Sequence, residues 1–170
     1  MTAPTPRGQR VVLRPIEDGD RSILAAILAE PEVVRWWDGT PPDRAAADWT
    51  GDPDATCLVI ELDGTVVGSV LASEEEDPGY RHGGLDIFLT TRVHGQGLGR
   101  DALRTAARWL FEERGHHRLT IDPSAGNERA IRCYAGIGFR PVGIMRAYER
   151  GPDGTFHDGL LMDLLRDELR

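Results

Sequence analysis

Three glycines alternate at the junction between an apolar, strand-like run and a long amphipathic segment in mid-chain. The run covers residues 85–89, the glycines are Gly95, Gly97 and Gly99, and the apolar stripe that follows reaches Phe111. Glycine tolerates φ > 0 and lets a ligand come close to the backbone. The free N–H groups of a helix's first turn point outward, where the helix dipole also favours negative charge. The junction therefore predicts a site for a phosphate or pyrophosphate.

Two common nucleotide-binding motifs do not fit this junction. A P-loop requires Gly-Lys-Ser/Thr, and the chain contains no lysine. A dinucleotide-binding fingerprint requires G-x-G-x-x-G after the first strand, whereas these glycines are spaced G-x-G-x-G in mid-chain. The motif by itself leaves open the alternative of an ordinary glycine-rich turn between a strand and a helix.

Length and charge narrow the class of protein. The 170 residues correspond to a single domain, residues 1–170. The net charge of -8 argues against nucleic acid or an anionic membrane as a partner and is compatible with a cationic substrate. Residues 1–10 are polar and lack the apolar core of a signal peptide, so we expect a cytoplasmic protein. Cys57 and Cys133 are far apart and lack a metal-binding spacing, so no metal is expected.

The apolar pattern along the chain predicts alternating strands and helices. The order is a strand, helical segments that include a short one over residues 32–37, three strands, a helix, a strand, a helix and two strands. Asp63-Gly64 and residues 151–154, Gly-Pro-Asp-Gly, mark two hairpins. We predict an α/β (α+β) fold in which a central, mixed, mostly antiparallel sheet of about seven strands is flanked by about four helices.

Asp86 is an acidic residue within an apolar strand. Alternation places Leu85, Ile87 and Leu89 on one face and Asp86 with Phe88 on the other. A carboxylate among apolar residues costs free energy unless it has a partner. The pattern favours either an aspartate at a strand edge that faces water or a functional carboxylate beside the phosphate site.

Two other features have both a structural and a functional interpretation. The adjacent Trp36 and Trp37 are either core and cover residues or a wall for a sugar-like or cationic substrate. The acidic run at residues 74–77, Glu-Glu-Glu-Asp, is either a solvated loop or the rim of a cation site.

The combination of motifs is more specific than any one of them. After the strand, the Gly-x-Gly-x-Gly, the long helix and a short strand comes the segment 127–139, Asn-x-x-Ala-Ile-x-x-Tyr-x-x-x-Gly-Phe. In order and spacing this resembles the GCN5-related N-acetyltransferase (GNAT) superfamily over nearly the whole chain. One departure is His94, where that family most often has glutamine or arginine.

Further segments indicate a narrower resemblance. Trp36-Trp37, residues 84–89 (Gly-Leu-Asp-Ile-Phe-Leu) and residues 122–134 (Asp-Pro-Ser-x-x-Asn-x-Arg-Ala-Ile-Arg-Cys-Tyr) look like aminoglycoside 6′-N-acetyltransferases, which confer antibiotic resistance. Residues 31–33 and 154–165 also look like enzymes of the ribosomal-protein type, which acetylate protein N-termini. We favour the aminoglycoside interpretation. A non-catalytic acyl-CoA-binding sensor with the same fold is a third alternative.

The resemblance implies that acetyl-CoA is the cofactor, that the acceptor is the 6′-amine of an aminoglycoside-like cation, and that the amine attacks directly in a ternary complex. Tyr134 is expected to protonate the leaving thiolate, and Asp86 to contact the reacting amine as a general base or as an orienting group. Trp36, Trp37 and Asp122 are expected to bind the remainder of the substrate. The positions expected to hold acetyl-CoA are Phe88, Leu89, Gly95, Gln96, Gly97, Leu98, Gly99, Arg100 and Asn127.

Overall fold

A seven-stranded mixed sheet forms the centre of the computed structural model, which describes residues 5–170. The strands are β1 (Val11–Pro15), β2 (Ala55–Leu62), β3 (Thr65–Glu75), β4 (His82–Leu89), β5 (Arg118–Ile121), β6 (Arg140–Arg150) and β7 (Phe156–Leu165). They lie in the order β1-β2-β3-β4-β5-β7-β6. Neighbouring strands are antiparallel except β4 and β5, which are parallel. The predicted sheet is therefore confirmed.

Helices cover both faces of this sheet. They are α1 (Asp20–Leu28), α2 (Pro31–Val34), α3 (Pro42–Gly51), α4 (Leu98–Glu112) and α5 (Glu128–Gly136). Residues 5–170 thus contain five α-helices, in agreement with the prediction of about four, and the short α2 begins at Pro31, a residue favoured at the first helical position. In the same residues, no helix is both long enough and apolar enough to cross a bilayer.

Two apolar cores hold the layers together. On one face of the sheet, α4 fully buries Leu103 and Leu110. On the other face, Leu24 of α1 and Trp49 of α3 pack around Phe88 of β4. Because residues of β4 belong to both cores, this strand is fixed from two sides. Side chains on its exposed stretch are therefore held in defined positions.

β4 and β5 separate soon after they begin to pair. In the part of the chain that the structure describes, they pair only at Gly83–Leu119 and Gly84–Thr120. β4 continues to Leu89, where its other edge is still paired with β3. An opening therefore lies between β4 and β5, and α4 begins shortly after it. Ligands in α/β sheets bind in such crevices beyond the carboxyl ends of parallel strands.

Two local predictions need correction. The acidic run does not begin as a solvated loop, because β3 extends through Glu75 and the carboxylate of Glu74 pairs with Arg114 (3.0 Å) and His116 (2.6 Å) just beyond the end of α4. The short helix α2 ends at Val34 rather than at the tryptophan pair. The indole rings of that pair are therefore presented by the turn that follows α2.

Candidate functional site

A cleft of about 940 Å³ opens where β4 leaves β5. A volume of this size suits a cofactor together with a small substrate. The cleft brings together the following residues that the sequence predicted for the site: Trp36, Trp37, Asp86, Phe88, Leu89, Gly95, Gly97, Leu98, Gly99, Arg100, Asp122, Asn127 and Tyr134. Gln96 lies outside this lining, since its side-chain amide donates to the Arg92 carbonyl (3.2 Å). Any contact of Gln96 with acetyl-CoA, as predicted, would therefore be made by its backbone.

The three glycines at the start of α4 serve two different purposes. Gly95 and Gly97 adopt φ values of 75° and 79°, in the left-handed region that residues with a Cβ rarely occupy. Gly97 is also the N-cap of the 15-residue helix α4. Gly99 has ordinary backbone geometry, but a Cβ there would lie 3.3 Å from the Sγ of Cys133. The first two glycines shape the loop, and the third lets α4 and α5 pack closely.

A buried carboxylate braces this glycine loop against β1. Asp101, in the first turn of α4, accepts hydrogen bonds from the backbone N–H groups of Gln9 (2.9 Å), Arg10 (2.7 Å) and Val11 (3.1 Å). The Arg10 guanidinium in turn donates to the Gln96 carbonyl (2.9 Å). The segment where the loop enters α4 is therefore tied to the start of β1 by two sets of hydrogen bonds.

The end of the cleft near α4 is positively charged. Arg100, Arg129 and Arg132 line it, and the N-terminus of α4 opens onto the same space. Guanidinium groups and the positive end of a helix dipole both favour phosphate oxygens. This half of the cleft therefore fits a ligand that carries a pyrophosphate.

The edge of β4 offers backbone groups to the same ligand. The Thr90 N–H donates to Val67 of β3 (2.8 Å), so alternation directs the N–H and C=O of Leu89 into the opening. His94 Nε2 lies 2.9 Å from the Leu89 carbonyl oxygen, which places a proton on this nitrogen as the donor. Burial lowers the pKa of His94, so its ring is neutral. With its carbonyl engaged by His94, Leu89 presents its N–H to the opening.

The opposite end of the cleft is acidic. Asp86, Asp122 and Glu149 line it, together with Asp38. Asp86 is open to the cleft, but the surrounding walls limit its hydration. Burial within these walls, and then the negative charges of Asp122 and Glu149, raise the pKa of Asp86 to about 7. A carboxylate with this pKa can accept a proton at neutral pH.

Asp122 is held by a side chain from β6 rather than acting as a cap for its own turn. The Tyr148 hydroxyl donates to the Asp122 carboxylate. This hydrogen bond, with burial, raises the pKa of Tyr148 to about 12, so the hydroxyl keeps its proton. Burial and the charge of Asp122 also raise the pKa of the neighbouring Glu149.

Tyr134 lies between the two ends of the cleft, on α5. It is 8% exposed, and its ring packs at an angle against Phe139 with centroids 6.4 Å apart. Burial raises the pKa of its hydroxyl, which therefore stays protonated. Asn127 caps the same helix, because its side-chain oxygen accepts from the Ala130 N–H (3.2 Å).

The two adjacent tryptophans occupy different positions in the cleft wall. Trp37 packs edge-on against Trp49 (5.4 Å between centroids) and Phe88 (5.9 Å), which joins it to the core. Trp36 lies under the guanidinium of Arg35, 4.7 Å from its ring centroid. Both side chains are half-buried. The cation on the face of Trp36 is thus a side chain of the protein itself, and contact of this ring with a substrate stays a prediction.

Several residues of the cleft and its supports were not predicted as site residues. They are Asp38, His94, Asp101, Arg129, Arg132, Tyr148 and Glu149. His94 carried a signal, because it stands where the resembled family has a different residue. Tyr148 and Glu149 carried none, because their direction depends on an irregularity in β6 that residue spacing does not encode. No group of three or more His, Cys, Asp or Glu suited to a metal ion occurs within residues 5–170.

Comparisons with known proteins agree with this geometry. Residues 10–140 match the family described as the acetyltransferase (GNAT) domain. The chain is 30% identical over 164 residues to the aminoglycoside N(6′)-acetyltransferase type 1 of Klebsiella pneumoniae, covering 85% of this chain and 79% of that protein.

Solved structures with a similar fold include two enzymes with different names. The structure of AAC(6′)-Ib in complex with ribostamycin and coenzyme A has a TM-score of 0.77 and 26% identity, covering 94% of this chain and 96% of that one. Mycobacterium smegmatis RimJ in complex with CoA-disulfide has a TM-score of 0.84 and 22% identity, covering 99% and 92%. The latter likeness is one of fold alone.

Proposed function

This chain belongs to the GNAT family of acetyltransferases and uses acetyl-CoA, and from that premise we propose that its acceptor is the 6′-amine of an aminoglycoside. The observation that carries the proposal is the division of the cleft into a basic and an acidic end. Arg100, Arg129 and the N-terminus of α4 lie at one end, and Asp86 and Asp122 at the other. The first end suits a pyrophosphate, and the second suits an acceptor with ammonium groups.

The residues present fit the cofactor. The loop N–H groups from Gly95 to Arg100 would hold the pyrophosphate, and the Leu89 N–H would pair with the pantetheine arm as an added strand does. The amide nitrogen of Asn127 is oriented by its capping bond to Ala130 and would donate to the same arm. When bound, acetyl-CoA supplies the acetyl group as a thioester, with coenzyme A as the product.

Asp86 prepares the acceptor. An ammonium group that enters the acidic end is attracted by the carboxylate, which holds it at the edge of β4. Because the pKa of Asp86 is about 7, this carboxylate can take the proton that the amine must lose before it attacks. An aspartate near its ordinary pKa of 3.8 would be a much weaker base. Asp86 thus combines orientation of the amine with proton transfer.

Tyr134 acts on the leaving group. Its buried hydroxyl stays protonated at neutral pH, so a hydrogen-bond donor is held ready at Oη. The thiol of the product has an ordinary pKa near 8.5, below that of this hydroxyl, so Oη stabilises the departing thiolate as a proton donor in a hydrogen bond, and any proton that it gives up is replaced from solvent. Direct attack in a ternary complex requires no covalent intermediate on the enzyme.

A second candidate function is acetylation of a protein N-terminus. It is favoured by residues 31–33 and 154–165, which look like enzymes that acetylate protein N-termini. A peptide with basic residues would also be attracted to the acidic end. A non-catalytic sensor would have no use for Asp86 and Tyr134 in the cleft, which argues against it.

Release of free thiol from acetyl-CoA separates these functions. The panel pairs aminoglycosides with and without a 6′-amine, and adds short peptides with free N-termini. Turnover confined to the 6′-amino compounds is expected. Turnover confined to the peptides would establish the second candidate instead, and acetyl-CoA binding without turnover of any amine would favour the sensor.

A further inference from the structure

β6 contains an irregularity where it faces the acidic end of the cleft. Met145 pairs with Gly159 and Glu149 pairs with His157, so three residues of β6 lie opposite the single residue Asp158 of β7. Ala147, in the middle of the three, has φ 48°, which is uncommon for a residue with a Cβ. Bulges of this kind re-aim side chains and occur beside active sites.

The bulge is held in place by β7. The Asp158 carboxylate accepts from the Ala147 N–H (2.8 Å), and the Asp158 backbone carbonyl accepts from the Ala125 N–H (2.8 Å). Asp158 therefore ties the bulge to the loop that carries Asp122. Strained backbone persists only where the surroundings over-determine it, and these two bonds supply that constraint.

Gly159 of β7 has no side chain, and this leaves room for Tyr148 of the bulge. A Cβ at Gly159 would lie 2.8 Å from Cδ1 of Tyr148 and 3.2 Å from Cε of Met145. The Tyr148 ring therefore lies on the bare backbone of β7. From there its hydroxyl donates to Asp122.

The result is an excess of negative charge at the acceptor end. Asp86, Asp122 and Glu149 line the same space, and the charges of the other two act on Asp86. Arg150, the next residue along β6, also lines the cleft, where its charge acts on Asp38, and its Nε donates to the Gly154 carbonyl (3.4 Å). One arginine does not balance the carboxylates of Asp38, Asp86, Asp122 and Glu149. A single ammonium group at Asp86 would leave Asp122 and Glu149 without a cationic partner from the acceptor.

We propose that the β6 bulge makes Tyr148 and Glu149 specificity-determining residues, which together with Asp122 bind a second ammonium group of the acceptor. Asp158 is a positioning residue, because it acts through the bulge. The inference rests on the proposed acetyl transfer to amines. It adds that a polyamine is preferred to a monoamine that carries the same reacting group.

Paired acceptors test this preference. One is neamine, which carries a 6′-amine and further amines, and the other is a methyl glucoside whose only amine replaces the 6-hydroxyl. For the native enzyme we expect kcat/KM to be at least about tenfold higher for neamine, the size of one charge-assisted contact. Equal kcat/KM values would overturn the inference, whereas transfer to neither compound would overturn the proposed function.

Three variants test which residues produce the preference for neamine over the monoamine. Glu149→Gln and Tyr148→Phe are expected to reduce the ratio of the two kcat/KM values several-fold to tenfold through the KM for neamine. Loss of the Glu149 charge also lowers the pKa of Asp86, but this affects both acceptors alike and cancels in the ratio. Asp158→Ala is expected to reduce the ratio in the same way. Glu113→Gln removes an equal charge from an exposed site at the end of α4 and should keep the native ratio.

If Glu149→Gln and Tyr148→Phe keep the native preference while remaining folded by thermal melting, these residues do not bind the second ammonium. Since both substitutions are nearly isosteric and lie on an exposed strand, they keep the test valid even if Asp158→Ala unfolds.

Discussion

The surroundings of the Asp86 carboxylate disfavour its charged form, and this is what allows it to act as a base at neutral pH. The walls of the cleft, Asp122 and Glu149 raise its pKa to about 7. Below that pH the protonated side chain can neither attract an ammonium group nor accept its proton. We therefore expect kcat/KM for the amine to rise with pH through about 7.

The matching substitution is Asp86→Asn, which keeps the size of the side chain and removes its basicity. We expect it to lower kcat/KM roughly 100-fold or more and to abolish the rise near pH 7. Steady-state thiol release between pH 5.5 and 8.5 measures both. Near-native kcat/KM would remove Asp86 from the reaction.

The same residue lowers the stability of the fold at neutral pH. The folded pKa of Asp86 is about 7 and the reference value is 3.8, so between these values the folded state binds more protons than the unfolded state. Stability from this group therefore falls as pH rises through that window. Asp86→Asn should have a higher urea midpoint than the native protein at pH 8, with the difference closing toward pH 4. A lower midpoint at pH 8 would contradict the assigned repulsion.

Tyr134 is expected to affect chemistry rather than binding. Tyr134→Phe keeps the packing against Phe139 and removes the proton donor, so kcat should fall roughly 100-fold while the Kd for acetyl-CoA, measured by calorimetry, stays unchanged. Tyr80→Phe changes a tyrosine that is 78% exposed and serves as the control. An unchanged kcat would exclude Tyr134 as the proton donor.

At the scale of single residues, the sequence predicted what local pattern can encode. Asp86 stood out because an acid interrupts an apolar strand, and Tyr134 because it follows Asn127 at a helical spacing within a specific motif. Glu149 and Tyr148 did not stand out, since a bulge with two extra residues in β6 decides which way their side chains point. The raised pKa of Asp86 likewise depends on groups that are distant in sequence.

Among the elements, the loop before α4 makes the sharpest prediction. Gly97 has φ 79° with nothing within 4 Å of a built Cβ, so Gly97→Ala is opposed by backbone conformation alone. The left-handed conformation costs a residue with a Cβ about 1–2 kcal/mol. The loop should relax away from its binding geometry, and the KM for acetyl-CoA should rise about tenfold.

Gly51→Ala is the matched control for this substitution. Gly51 also has open space around a built Cβ but lies outside the positive-φ glycines. The KM of the Gly51→Ala variant for acetyl-CoA should equal that of the native enzyme. A native KM in Gly97→Ala would mean that the loop's conformation does not hold the cofactor.

Element boundaries followed the sequence where turn chemistry is strong. The hairpin at Asp63-Gly64 and the ends of α4 and α5 near Gly115 and Gly138 lie where glycine with positive φ is required. The end of α2 was misplaced, because the turn with Trp36 and Trp37 is fixed by packing against α3 and β4 rather than by a local stop. The extension of β3 through Glu75 depends on partners of Glu74 that lie 40 and 42 residues away.

The distribution of charge over the whole molecule affects the binding of a polycationic acceptor. The net charge is -8, yet Arg100, Arg129 and Arg132 line the cleft near α4, whereas carboxylates outnumber the single Arg150 around Asp86. Attraction between exposed charges weakens as salt shortens the Debye length. The KM for a polycationic acceptor should therefore rise several-fold between about 0.05 and 0.5 M NaCl. A flat salt response in steady-state assays would contradict an electrostatic role for the acidic end.

The overall architecture was predictable because the order of strands and helices, two hairpins and a specific motif all agree on one fold. The division of the cleft into a basic and an acidic end could not be predicted from the sequence. It depends on Arg129, Glu149 and Asp38, which come together from separate elements. Alternation and spacing place residues on faces of their own element. They do not determine which faces meet across a cleft.

The position of the acetyl group on the product tests the proposed acceptor most sharply. The enzyme is incubated with acetyl-CoA, short peptides with free N-termini and an aminoglycoside that carries several amines, one of them at 6′, and the products are examined by NMR and mass spectrometry. We expect a single acetyl group on the 6′-amine. An acetyl group on a different amine, or an unmodified aminoglycoside alongside acetylated peptide N-termini, would contradict the proposed function.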